Sequence, residues 1–170
     1  MENLEFVKSI EIGSAQAKNI TEIVGAWWKE TSKEANSKAT PGKLYAIGNY
    51  LIELAKNSLS DGKSDGKIKA FFDSERIKIE IEAFSDEGRE MNLNVGGNYG
   101  MKETIEYADD FVVESNGKRW EKASVREMLQ EYGESNLRTG SKVTFIKFIV
   151  APPAEEGEEE DNNKFRNSRW

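Results

Sequence analysis

One hundred and seventy residues fall within the size of a single domain, and at 37% hydrophobic and 32% charged, with four Trp, five Tyr and eight Phe, they carry enough anchors for a core and exclude wholesale disorder. The absence of Cys and His excludes disulfides, thiolate nucleophiles, Cys- or His-ligated metals, Ser-His-Asp triads and phosphohistidine chemistry. Of 24 bases and 31 acids, 21 and 25 precede residue 151, so the body is only mildly acidic and has no basic stripe, which argues against a nucleic-acid partner.

In chain order, residues 4–12 alternate loosely and predict a strand. Ser14 is expected to cap a helix that carries Ala17, Ile20, Ile23, Val24 and Trp27 at helical spacing. Residues 31–40 are polar and read as a loop. Thr40-Pro41 then starts a helix: the hydroxyl caps it, and proline's missing N–H costs nothing in the first turn. Leu44, Ile47, Leu51, Leu54 and Ser58 share one face of that helix. The Gly- and Asp-rich run 61–66 is expected to break all regular structure.

Residues 68–72 and 76–83 make the clearest pattern. Ile77, Ile79, Ile81 and Ala83 alternate with Lys78, Glu80 and Glu82, which predicts a hairpin with one buried and one wet face. Residues 86–100 are polar and Gly-rich. A short helix is predicted over 101–108, a strand over 111–114, a capping-box helix from Ser124 to about Tyr132, and a last strand over 142–150. The order β-α-α-β-β-α-β-α-β predicts an α+β two-layer sandwich with a mixed, mainly antiparallel sheet. Residues 1–150 form one domain on this reading. Residues 151–170, with six acids between 154 and 161, form an acidic, solvated and disordered tail. No apolar run approaches the roughly eighteen residues of a membrane helix, and the first residues lack a basic, apolar secretion signal, so a cytoplasmic protein with no membrane partner is expected.

Three segments could carry chemistry. Glu53 and Asn57 are four apart, so both project from one side of the second helix. A carboxylate beside a carboxamide can orient a nucleophile and offer oxygen to Mg2+; equally, such a pair can be a solvated helix face. Asp86 with Gly88 follows the alternating strand, where a carboxylate can meet a ligand while glycine turns the backbone, or where the pair simply makes a turn. Gly96-Gly97-Asn98-Tyr99-Gly100-Met101 opens a helix, a junction suited to phosphate, although its spacing is not that of a P-loop.

Together, a helix with Glu-x-x-x-Asn, a hairpin ending in Asp-x-Gly, a Gly-rich helix start and a final Gly-x-x-Val-Thr strand resemble the GHKL superfamily of ATP-binding domains, and most closely the stand-alone anti-sigma-factor serine kinases. The likeness spans residues 4–150. It implies a Bergerat-type fold and the cofactors ATP and Mg2+. It also implies a regulatory protein partner, either sigma-factor-like or an anti-sigma antagonist; kinases of this kind are often homodimers. By resemblance Glu53 would be the general base and Asn57 the Mg2+ ligand. Asp86 would accept from the adenine amino group with Gly88 beside it. Gly97, Gly100 and Met101 would line the phosphates under a lid formed by residues 89–99, and Thr144 would help hold adenine through a water.

The sequence departs from that pattern in places. Asp61 stands where a basic residue is usual, Glu90 replaces the second Gly of Asp-x-Gly-x-Gly, Asn98 occupies a lid Gly, and 118–139 is long. Without histidine the chain is not a complete histidine kinase. Three readings follow. The first is a regulatory serine/threonine kinase in a partner switch. The second is a degenerate nucleotide-binding module that sequesters its partner, and the third is an unrelated α+β interaction domain.

Overall fold

A computed structural model describes residues 4–35, 39–59, 65–84, 99–115, 118–125, 127 and 142–149. Six strands, β1 (Glu5–Ile12), β2 (Asp65–Phe72), β3 (Arg76–Phe84), β4 (Asp110–Ser115), β5 (Lys118–Glu121) and β6 (Lys142–Phe148), form one sheet in the order β1-β2-β3-β6-β4-β5. Helices α1 (Ile20–Thr31), α2 (Pro41–Leu59) and α3 (Tyr99–Tyr107) cover one face, giving an α+β fold in two layers. Every described strand pair is antiparallel, so the expected parallel component is not found. The reason is where β6 goes: it inserts antiparallel between β3 and β4, and these two, joined through α3, run parallel without touching.

The alternation read from the sequence fixes the faces. Ile68, Ala70 and Phe72 of β2 pair with Ile81, Ile79 and Ile77 of β3. Ile79 and Ile81 in turn oppose Phe145 and Val143 of β6, and all of these side chains are buried toward the helices. Fully burying each large aliphatic or aromatic side chain contributes roughly 1.5–3 kcal/mol, which makes this row the main source of stability. The other face holds an ion-pair lattice. Glu80 lies 3.3 Å from Lys78 and 3.7 Å from Lys142, and Lys69 lies 3.6 Å from Glu82. The hairpin turn is tied by Asp73, whose carboxylate accepts from the backbone N–H of Glu75 and Arg76 and pairs with the Arg76 guanidinium at 2.8 Å. Burial works against that charge, but the donors outweigh it and hold the Asp73 carboxyl below its ordinary range.

Four local expectations are corrected. Ser14 is not a cap: a 3-10 turn runs Ser14–Asn19 before α1 begins at Ile20, and the Ser14 N–H donates to Asp65 Oδ1 at 2.8 Å. The chain over 31–35 is not simply loop, because α1 continues to Thr31 and a 3-10 turn follows at Ser32–Glu34. Asp65-Gly66 does not break structure but opens β2, where Gly66 is needed because a Cβ there would strike both terminal methyls of Leu59. Finally, the last helix starts at Lys122, so the Ser124 hydroxyl donates to the Glu121 carbonyl within the first turn and is not its cap. β5 was not expected at all. By contrast Thr40 behaves as read, its hydroxyl accepting from the Lys43 N–H at 3.2 Å.

Candidate functional site

The direction of each element defines two ends of the sheet. Lys43, in the first turn of α2, donates to the Phe148 carbonyl, so α2 starts where β6 finishes. It stops at Leu59, against Gly66, where β2 begins; Gly66 pairs with Ala83, one residue before β3 ends at Phe84. β6 enters at the same end, with Lys142 opposite Glu82. α3 leaves that end too: it follows β3, and its C-terminal Tyr107 reaches the far end, where its carbonyl accepts from Lys147 Nζ at 2.8 Å. The last turns of α2, the exit of β3, the N-terminus of α3 and the entrance of β6 are therefore gathered at one end of the domain.

Glu53 and Asn57 occupy this end of α2. Leu51, Leu54, Ala55, Ser58 and Leu59 face the sheet and are buried, which leaves Glu53 and Asn57 half-buried on the outer side, as their four-residue spacing requires. Asn57 Nδ2 donates to the Glu53 carbonyl at 2.8 Å. That bond ties the amide nitrogen to the helix. Lys56 Nζ lies 3.9 Å from Glu53 Oε1, a half-exposed pair of the kind that contributes only roughly 0–1 kcal/mol. Glu53 also lines a cleft of about 530 Å3 on the outer surface, bounded by Thr21 of α1, by Asn49, Tyr50 and Lys56 of α2, and by Glu103 of α3. Tyr50 forms its wall by stacking on Tyr107 with ring centroids 4.4 Å apart.

Gly100 and Met101 lie in the first turn of α3, where backbone N–H groups lack intrahelical partners and the helix dipole favours an anion. Asp86, Gly88 and Gly97 lie outside the described residues, as do Asp61, Glu90, Asn98 and the tail 151–170; Phe84 places the chain at this end two positions before Asp86. Thr144 is different. It pairs with Glu80 and Val112 on the sheet face opposite the helices, while its neighbours Val143 and Phe145 face inward. The structure therefore separates Thr144 from Glu53 and Asn57 by the thickness of the sheet, and a ligand held against α2 would not meet its hydroxyl.

One residue was read only as part of an apolar face. Ser58 is 5% exposed, and its Oγ has no hydrogen-bond partner among the described residues. A buried hydroxyl left unpaired costs on the order of 1–3 kcal/mol. A serine among leucines on a buried stripe is the signal that could have marked it.

Among the described residues no cluster of three acidic, His or Cys side chains could hold a metal. Glu53 and Asn57 set a carboxylate and a carboxamide one helical turn apart, groups of the kind a hard cation takes. No helix among the described residues is long and apolar enough to cross a membrane. No protein-family model matches the chain, and no curated protein is significantly similar to it.

Proposed function

We propose that this chain is an ATP- and Mg2+-binding domain of GHKL type acting as a regulatory serine/threonine kinase on a protein partner. The observation that carries the reading is the convergence, at one end of the sheet, of segments far apart in sequence: Glu53 and Asn57, the strand exit leading to Asp86, the helix start at Gly100 and Met101, and the entrance of the last strand.

When bound, Mg-ATP supplies the phosphoryl group and neutralises its charge. Asn57 would hold the metal through its carboxamide oxygen, and the first N–H groups of α3 would face the phosphates. Asp86 would accept from the adenine amino group. Glu53 would take the proton of the attacking hydroxyl, reached through the outer cleft. Phosphoryl transfer asks little covalent help of the protein, so positioning and charge do most of the work. The departures at Asp61, Glu90 and Asn98 favour a second reading, a nucleotide-binding module that sequesters its partner without transferring phosphate.

Calorimetric titration with ATP, with and without Mg2+, on wild type, Asn57→Ala and Glu53→Gln separates these. The kinase reading expects metal-dependent binding that Asn57→Ala makes metal-independent. It also expects Glu53→Gln to bind normally but turn over at least about a hundredfold more slowly, the usual share of a general base. Equal, barely detectable turnover in wild type and Glu53→Gln leaves only the binding module. No nucleotide binding at all removes both readings.

A further inference from the structure

A second depression of about 470 Å3 lies beside the Glu53 cleft, between α1 and α2. The two share Asn49 and Ile52, so they form one continuous surface over the outside of the helix layer. The second is apolar, floored by Trp28, Leu44 and Ile52, with Tyr45 at its rim and 74% exposed. Trp28 Nε1 already donates to the Leu44 carbonyl at 2.8 Å, so the ring is fixed and its polar edge satisfied. A rigid apolar hollow with an exposed aromatic at its edge is a recognition feature rather than a scattered surface hydrophobe.

We propose that this groove seats an apolar side chain of the segment whose serine or threonine reaches Glu53, so that the acceptor is selected by a Leu- or Phe-like anchor about three or four residues away. The inference rests on the kinase reading above and names its substrate class. The spacing follows from helix geometry. The α2 residues lining the groove run from Pro41 to Ile52 and centre near Ile47, six positions before Glu53. At about 1.5 Å per residue that is roughly 9 Å, a distance an extended segment covers in about three residues. In the step itself the hydroxyl oxygen forms a bond to the terminal phosphorus and the bond from that phosphorus to its bridging oxygen breaks. ADP departs with the electron pair, and the hydroxyl proton passes to the Glu53 carboxylate.

The test uses the full chain, radiolabelled Mg-ATP and a panel of serine-centred peptides in which Leu, Phe, Ala or Glu occupies each flanking position in turn. Peptides with Leu or Phe three or four residues from the serine should show at least about tenfold higher kcat/KM than their Ala counterparts, the discrimination an apolar pocket can supply. Two variants act on the groove from opposite sides. Tyr45→Ala removes its rim. Gly25→Leu fills it, since a Cβ at Gly25 would lie 3.7 Å from Ile52 Cδ1, in ordinary contact. Both should abolish the anchor preference while leaving the KM for ATP and transfer to Ala-substituted peptides unchanged. Transfer indifferent to the anchor, or a preference that survives both variants, overturns the inference. So does Mg-ATP binding with no peptide modified, or a dimer that Gly25→Leu dissolves, which would make a second copy the occupant. Failure of wild type to bind Mg-ATP instead refutes the kinase reading, and the inference falls with it.

Discussion

Gly66→Ala tests how firmly the last turn of α2 is set against the sheet. The added methyl would lie 3.0 Å from Leu59 Cγ and closer still to both terminal methyls, and Leu59 is only 1% exposed, so it has nowhere to move. Overpacking of this kind costs about 1–3 kcal/mol. Leu59→Ala should cost about 2–5 kcal/mol through lost burial and a cavity. Each substitution removes the other's conflict, so the double variant should be more stable than the sum of the singles by about 1–2 kcal/mol. Urea denaturation followed by circular dichroism measures all four corners of the cycle. Strictly additive losses would show that Leu59 does not press on Gly66, and with them would go the close seating of the α2 terminus that sets Asn57. On the kinase reading Gly66→Ala also weakens Mg-ATP binding, because Asn57 sits two residues before Leu59.

Other outcomes can be checked as directly. If Asp86 meets adenine, wild type should strongly prefer ATP to GTP, and Asp86→Asn should cost about 1.5–3 kcal/mol in ATP affinity by calorimetry; equal affinity for the two nucleotides removes the assignment. Ser58→Ala removes a buried hydroxyl with no partner among the described residues, so thermal stability should hold or rise by up to about 1–3 kcal/mol; lost stability would mean the hydroxyl has a partner in the folded protein. The Asp73 carboxyl titrates lower in the folded chain than in the unfolded one, so its contribution is present at neutral pH, begins to fade below about pH 4, and is lost as pH falls through the folded value. Asp73→Ala should therefore destabilise at pH 7 and flatten the acid limb of the stability curve; an unchanged acid limb would exclude Asp73 as its source.

What the sequence made legible depended on repetition. The turn and β3 were readable almost to the residue because Ile77, Ile79 and Ile81 repeat the same contrast with Lys78 and Glu80, whereas β2 begins earlier than its apolar residues suggest, at Asp65. β5 was not: its four residues carry one aromatic, Trp120, and its place is set by pairing with β4, which no local pattern announces. Asp65-Gly66 looked like a break because glycine punctuates loops, whereas here it admits a leucine from a helix seven residues earlier. Glu53 and Asn57 were correctly put on one side of a helix, since a spacing of four decides that alone. For Thr144 the motif drew attention to the residue type, while the face was decided by its parity with Val143 and Phe145. The apolar groove was invisible because Gly25, Trp28 and Tyr45 are brought together only by two helices crossing.

The insertion of β6 between β3 and β4 bears on how this chain can fold. β2 and β3 make a local hairpin, to which β1 adds across the intervening helices, and β4 with β5 makes a second local hairpin. Neither half has its inner edge paired until residues 142–148 arrive to bond both at once. During synthesis two open strand edges rich in Ile and Val therefore wait for the final strand, a state open to edge-to-edge pairing between molecules. A chain cut before Lys142 should accordingly collect as aggregate rather than as a smaller soluble domain. In the intact protein, joining the halves requires closure of long loops and should limit the folding rate.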